Sequence, residues 1–123
     1  MRDTITWQRC EGAAVLAAGL ALWAAGAQPF GIWLAVLVFF APDLSFAAYL
    51  AGPRIGAFAY NLVHSYGTGL ALTAAGALAS QPALGAVGLL WLMHAGFDRM
   101  LGYGLKSSEG FKITHLGQIG PAR

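Results

Sequence analysis

The sequence predicts an all-α membrane protein, with four transmembrane helices in a small bundle, and two observations support this fold class. Of the 123 residues, 58% are hydrophobic and only 10% are charged, whereas about 25% of residues are charged in a typical soluble domain. The apolar residues also form long continuous runs, which are typical of membrane helices, whereas the strands of a β-barrel alternate. We therefore expect a single integral membrane domain over residues 1–123.

The first two predicted spans cover residues 6–27 and 30–50. The first contains the apolar run GAAVLAAGLALWAAGA. A cleaved signal peptide would also explain this run, because basic residues precede it and it ends in the small residues Ala25-Gly26-Ala27. The second is interrupted by Pro42-Asp43, so we expect a helix that is kinked or broken at Pro42, or a short re-entrant piece after it. Both arrangements place Asp43 at membrane depth, where irregular backbone is tolerated only inside protein or beside a cavity.

The third and fourth predicted spans cover residues 53–79 and 82–103. Pro53 suits the first position of a helix, and Gly102 marks the end of the last one. The turn between these spans is short, so the two helices are expected to be antiparallel neighbours. Residues 105–123 then form a polar tail.

The placement of charge predicts how the chain is oriented. The turns at Gln28-Pro29 and at 80–82 carry no charge, while every Arg and Lys lies near the N-terminus, at Arg54, or from Arg99 onward. Four spans put these three regions on one side of the membrane, which the positive-inside rule makes cytoplasmic. We expect a multi-pass protein of the bacterial inner membrane with cytoplasmic N- and C-termini. The net charge of +2 is too small and scattered to indicate nucleic-acid binding.

A group of ionisable residues is predicted within the apolar spans. His94 and Asp98 lie four residues apart, which places them on one face of a helix. His64 lies at the same depth as His94, because each is about 14–15 Å along its helix from the cytoplasmic side. With Asp43 from the interrupted span, two imidazoles and two carboxylates can converge. This donor set suits zinc, manganese or iron, so these four residues are candidate ligands of a divalent metal.

Two other interpretations of these residues stay open. The polar groups can tie helices together without a metal, for example through a salt bridge between Asp98 and Arg54. Alternatively, His64 and His94 can ligate a haem axially. Four further polar residues are candidates for supporting this region, and they are Arg54, Asn61, Ser65 and His115.

Four motifs resemble a family of small bacterial membrane proteins, catalogued as domain of unknown function 4260. They are FAPDLSF (40–46), GPRIGAFAYNLVHSY (52–66), HAGFDRMLGYGLK (94–106) and FKITHLGQIG (111–120). The resemblance implies a membrane location and a fold, and it implies no mechanism. In the family pattern an acidic residue often precedes the Thr-His pair, where this chain has Ile113. The Pro-Asp, His and Thr-His elements are also similar to those of membrane-bound metal-dependent hydrolases.

Two functions are consistent with this sequence. The first is a non-catalytic accessory or binding subunit in the lipid bilayer, with a membrane-protein partner or a second copy of the chain. Small size, faces of small residues and the lack of a nucleophile motif favour it. The second is an enzyme in which the metal activates water to hydrolyse a lipid or another amphiphile. An enzyme needs a water-accessible pocket that reaches His94, whereas a structural cluster is dry.

Overall fold

A computed structural model describes residues 2–119 of the chain. The elements follow in the order α1 (Arg2–Ala25), α2 (Ile32–Phe40), a 3₁₀ helix (Ala41–Ala51), α3 (Pro53–His64), α4 (Tyr66–Leu78), α5 (Pro82–Leu101), β1 (Lys106–Ser107), β2 (Gly110–Thr114) and β3 (Gly117–Gln118). The described part is therefore mostly helical, as the sequence predicts. A small antiparallel sheet is added in the tail.

Helix α5 is the element around which the other helices pack. It contacts α1, α4 and α2. At Gly96, a Cβ atom would lie 2.7 Å from the carbonyl oxygen of Gly12 in α1. A Cβ atom at Gly88 would overlap the backbone nitrogen of Thr73 in α4. Only glycine lets the backbones approach this closely, so small residues set the positions of α1 and α4 against α5.

The second predicted span changes its helix type close to Pro42. Helix α2 ends at Phe40, and the chain continues as a 3₁₀ helix from Ala41 to Ala51. A proline lacks the N–H that an α-helix uses and its ring crowds the preceding turn, which explains why the α-helical part stops here. Asp43 lies in the first turn of the 3₁₀ helix.

The third predicted span is two helices. Helix α3 ends at His64 and α4 begins at Tyr66, and Ser65 between them has extended backbone, with φ −89° and ψ 148°. The prediction of one continuous helix over residues 53–79 is therefore wrong at Ser65. The reason is tertiary: α3 packs against the 3₁₀ helix, whereas α4 packs along α5. Contacts of this kind override the local preference for a continuous helix.

Among residues 2–119, one segment is long and apolar enough to cross a membrane by length and composition. It is Ile32–Ala51, with a mean hydropathy of 1.9 over 20 residues, and 11% of its apolar window is buried. Helix α1 begins with charged residues, and α3 and α4 have only 12 and 13 residues. The arrangement of four spans therefore stays a prediction.

The tail forms a three-stranded sheet that the sequence analysis did not predict. Strand β2 pairs with β1 on one side and with β3 on the other. The sheet lies against α3, because both β1 and β2 contact that helix. Asn61 of α3 fixes this contact: its amide donates to the carbonyl of Lys106 at 2.8 Å and accepts from the Lys106 N–H at 2.6 Å.

Candidate metal centre

The four residues predicted as metal ligands lie together in the structure. Each offers one ligand atom, and these atoms all lie within 4.8 Å of one another. Asp43 Oδ1 lies 3.1 Å from His64 Nε2 and 3.2 Å from His94 Nε2. The two Nε2 atoms are 3.2 Å apart, and Asp98 Oδ2 lies 3.6 Å from each of them. Four atoms with lone pairs, from the 3₁₀ helix, α3 and α5, therefore surround a common centre.

These distances fit the coordination shell of a zinc ion. Bonds of about 2.0–2.1 Å place neighbouring ligand atoms of a tetrahedron about 3.3–3.4 Å apart. Five of the six distances between ligand atoms run from 3.1 to 3.6 Å, on both sides of that value. The sixth pair, the two carboxylate oxygens, lies within 4.8 Å. Imidazole and carboxylate are also the ligands that manganese and iron accept. The spacing of these five pairs is therefore that of ligands of a small divalent cation.

Few hydrogens are available for the close contacts among His64, His94 and Asp43, whereas Asp98 Oδ2 accepts one from the Tyr60 hydroxyl at 3.3 Å. His64 Nδ1 lies 2.8 Å from the Tyr60 carbonyl and donates to it, which leaves a lone pair on Nε2 of the neutral imidazole. His94 can place one hydrogen on its own Nε2. A second hydrogen, on His64 Nε2, would set two N–H groups head to head at 3.2 Å. At most one of the two Nε2 atoms therefore carries a hydrogen.

The cluster is buried on its histidine side and open at Asp43. His64 and His94 are 0% and 1% exposed, and Asp98 is 8% exposed, whereas the Asp43 side chain is 39% exposed. With neutral imidazoles, the two carboxylates give the centre a charge of about −2, which is costly in a buried place unless it is compensated. A divalent cation would neutralise it.

Aromatic rings and one backbone carbonyl hold the imidazoles in place. The Tyr60 ring stacks on the His64 ring with 3.7 Å between centroids, and the Phe39 ring meets the edge of the His94 ring at 5.2 Å. The contact from His64 Nδ1 to the Tyr60 carbonyl is the kind that orients metal-bound histidines. His94 Nδ1 has no such partner among residues 2–119, and nothing in the structure explains this.

Arg99 stabilises the break between α3 and α4 beside the cluster. Its guanidinium donates to the carbonyl of His64 at 2.9 Å and to the carbonyl of Tyr103 at 3.0 Å. The His64 carbonyl belongs to the last turn of α3, where carbonyls lack a partner in the helix and a positive charge is favourable. Arg99 is 3% exposed, so it fixes the end of α3, and with it His64, from inside the bundle.

The four residues predicted to support the cluster have different roles. Asn61 joins α3 to β1, as described above. Ser65 lies at the helix break, where its hydroxyl is 3.1 Å from that of Thr68. Arg54 is exposed on α3, and no ion pair joins it to Asp98. The salt bridge considered between these two residues is therefore absent.

His115 lies in the tail, away from the four ligand atoms. Its Nδ1 accepts a hydrogen bond from the Leu105 N–H at 2.8 Å, which the neutral imidazole can do. Burial lowers the pKa of His115, and the positive charge of Arg99 acts in the same direction. His115 therefore holds the start of the sheet and is not part of the cluster.

A cavity of about 330 Å³ opens beside the carboxylates of Asp43 and Asp98. Tyr60 also lines it, and its hydroxyl donates to Asp98 Oδ2 at 3.3 Å. Lys106 lines it from the tail, and burial lowers the pKa of this amine while the negative charge of Asp98 acts in the opposite direction. The cavity reaches the carboxylate ligands, whereas the imidazoles lie behind them.

The model of one protein family, domain of unknown function 4260 (DUF4260), matches residues 5–119 of the chain. The chain belongs to the DUF4260 family. The match confirms the resemblance indicated by the four motifs, and it includes all four residues of the cluster. No curated protein and no solved structure matches this DUF4260 chain. Its function therefore has to be argued from its own site.

The haem interpretation does not fit this DUF4260 protein. A haem with two axial histidines needs its macrocycle between the imidazoles. The Nε2 atoms of His64 and His94 are only 3.2 Å apart, and Asp43 Oδ1 lies within 3.2 Å of both. No space for a macrocycle is left between the rings.

Three residues of the site were missed as site residues by sequence reasoning: Tyr60, Arg99 and Lys106. Tyr60 precedes His64 by four residues, so the spacing of a helical face could have indicated it. Arg99 directly follows Asp98, and its buried position depends on the break at Ser65. Lys106 comes close through the pairing of the tail with α3, for which the sequence carries no local signal.

Proposed function

We propose that this DUF4260 protein is a membrane protein that binds one divalent cation, zinc in particular, through Asp43, His64, His94 and Asp98. One observation carries the proposal: four potential ligand atoms lie together, and at most one of the two facing Nε2 atoms carries a hydrogen. A cluster made of hydrogen bonds alone would need a donor for each close pair. A cation satisfies all four atoms together, and the tetrahedral spacing favours zinc.

The ligand count supports a binding or accessory role over catalysis. Four protein ligands complete a tetrahedral shell, whereas a catalytic zinc keeps one position open for water. A second candidate function is metal-dependent hydrolysis of a lipid or another amphiphile. The cavity beside Asp43 and Asp98 supports it, because a substrate there would lie next to the metal. This second function requires one carboxylate to leave the metal or the shell to expand.

The distribution of polarity supports a membrane environment. The interior contains His64, His94 and Asp98, all 8% exposed or less, whereas Leu50 and Trp33 are 94% and 82% exposed. In water such an apolar surface would be unfavourable, and in a bilayer it would contact lipid. The two irregular points of the backbone, at the start of the 3₁₀ helix and at Ser65, both adjoin the cluster. Broken helices in membranes are found where they line a site.

The proposed topology has four spans. They are α1, then α2 with the 3₁₀ helix, then α3 with α4, and finally α5. The charge placement supports cytoplasmic termini in the inner membrane of a bacterium, with the sheet of the tail on the same side.

Metal analysis tests the proposed site. The protein, purified in detergent without added metal, is expected to contain close to one zinc ion per chain by mass spectrometry. The double substitution His94→Ala and Asp98→Ala removes two of four ligands, so this variant is expected to contain almost none. His115→Ala is the matched control, because His115 lies outside the cluster, and it should retain the metal. Equal metal content in the double variant and the control would refute the site.

Cysteine labelling tests the proposed topology. Cys10 is the only cysteine, so a Cys10→Ser background gives a protein without thiols. In that background, Gln81→Cys and Glu109→Cys place single thiols at exposed turns on opposite sides of the proposed bundle. A membrane-impermeant maleimide is expected to label Gln81→Cys in intact cells, and Glu109→Cys only after the membrane is opened. Labelling of both variants from outside would contradict the four-span arrangement.

A further inference from the structure

The cavity beside the metal centre has a polar inner end and a partly aromatic mouth. Asp98 and Lys106, which are 8% and 5% exposed, line its inner end, and Asp43 lines it with a side chain that is 39% exposed. The rings of Phe46 and Phe111 also line it, with 5.4 Å between their centroids. These two residues are 40% and 42% exposed, so the aromatic wall continues to the outer surface. A molecule that fills this cavity must be polar at one end and apolar at the other.

Lys106 supplies a fixed positive charge at the inner end. It is 5% exposed, and its Nζ lies 3.9 Å from the centre of the Phe111 ring and 5.0 Å from that of Tyr60. Within residues 2–119, no carboxylate lies at ion-pair distance from this amine. Its backbone is held on both sides by the Asn61 amide. A buried ammonium that has aromatic neighbours and, within the described residues, no carboxylate at ion-pair distance is well placed to bind an anion.

The charges around the cavity sum to one excess positive charge when the metal is bound. The charges of the two carboxylates and of the divalent cation cancel. The imidazoles are neutral, and Lys106 adds one positive charge. A buried excess charge is costly, so an anionic ligand would be favoured there over a neutral or cationic one. This step rests on the proposed metal site, because without the cation the same groups sum to one negative charge.

We propose that this cavity binds an amphiphile whose head is a single oxyanion, a carboxylate or a phosphate. The head contacts the Lys106 ammonium beside the metal centre, and the apolar chain follows the rings of Phe46 and Phe111 towards the lipid. A free anion lacks the apolar part and gains only the contact at the head.

Equilibrium binding of radiolabelled ligands to the zinc-loaded protein in nonionic micelles tests this inference, with protein-free micelles as the blank. Laurate and dodecyl phosphate are expected to bind at least tenfold more tightly than dodecanol, dodecyltrimethylammonium, acetate or inorganic phosphate. Tight binding of acetate or inorganic phosphate would show a plain anion site and refute the amphiphile. Equal binding of laurate and dodecanol would refute the role of the charge.

Substitutions of Lys106 test whether its ammonium binds the head of the ligand. Lys106→Met is expected to weaken laurate binding at least tenfold and to leave dodecanol binding unchanged, while Lys106→Arg retains most of the affinity. Lys112→Met is the matched control on the exposed side of β2 and should bind laurate normally. Loss of laurate binding in the control as well would overturn the assignment to Lys106. Zinc content is measured in the same samples: a protein with zinc but without laurate binding refutes this inference alone, and a protein without zinc refutes the metal site.

Discussion

Replacing Asp98 by asparagine is expected to stabilise the metal-free protein and to remove most of its stabilisation by zinc. In the metal-free state, the two carboxylates of the cluster lie within 4.8 Å of each other. Removing one of two like charges that share a buried site should raise the free energy of unfolding by about 1–2 kcal/mol. Unfolding in detergent with a chelator measures this change.

With zinc, the order of stability should reverse. A ligand present at a thousand times its dissociation constant stabilises a folded protein by about 4 kcal/mol. The wild-type protein gains this energy, whereas the Asp98→Asn variant binds zinc weakly and gains much less. Glu109→Gln is the matched control, since Glu109 is exposed in the tail, and it should follow the wild type in both conditions.

The reversal distinguishes a metal site from a cluster of salt bridges. If Asp98 served to pair with protonated histidines, its loss would destabilise the protein in the chelator, because breaking a buried pair leaves a charge uncompensated. The wild type would then show no gain from zinc. The metal site would therefore be contradicted if the Asp98→Asn variant were less stable than the wild type by the same amount in chelator and in zinc.

The candidate ligands could be predicted from the sequence because each depends on a local signal. His94 and Asp98 share a helical face by their spacing, and Pro42 marks where the helix around Asp43 must change. The level of His64 is predicted by counting residues along a helix that continues to residue 79, and the structure breaks that helix at Ser65, directly after His64. The rise and period of a helix suffice for these predictions, and the structure places the four residues together.

The rest of the site depends on contacts between distant parts of the chain. Neither Ser65 nor its two direct neighbours is a proline or a glycine, which would end a helix. Helix α3 ends there because it packs on the 3₁₀ helix, whereas α4 packs on α5. The sheet brings Lys106 to the cavity through Asn61, which lies 45 residues earlier. No periodicity within either segment encodes that pairing.

Replacing Arg99 by methionine is expected to cause a large loss of stability and a weaker metal site together. The guanidinium is buried and donates to the carbonyls of His64 and Tyr103. Methionine fills much of the volume but leaves both carbonyls without a donor, at a cost of about 1–3 kcal/mol for each. We therefore expect the free energy of unfolding to fall by about 2–5 kcal/mol in chelator.

Zinc affinity should fall as well, because Arg99 holds the last residue of α3, which is His64. Loss of a group that orients a ligand typically lowers metal affinity by about 10–100-fold. A competition titration with a coloured chelator measures it. Arg54→Met is the matched control, because Arg54 is exposed and outside the cluster, and it should change stability by less than about 0.5 kcal/mol.

Arg99→Lys separates the charge from the geometry of the guanidinium. Lysine keeps the positive charge at the end of α3 but lacks the planar fork that reaches two carbonyls. If the helix break depends on both hydrogen bonds, the lysine variant should lie between the wild type and Arg99→Met in stability and in zinc affinity. A lysine variant with full zinc affinity would mean that charge alone orients His64. An Arg99→Met variant with unchanged affinity would mean that the stacking of Tyr60 on His64 suffices to hold the ligand in place.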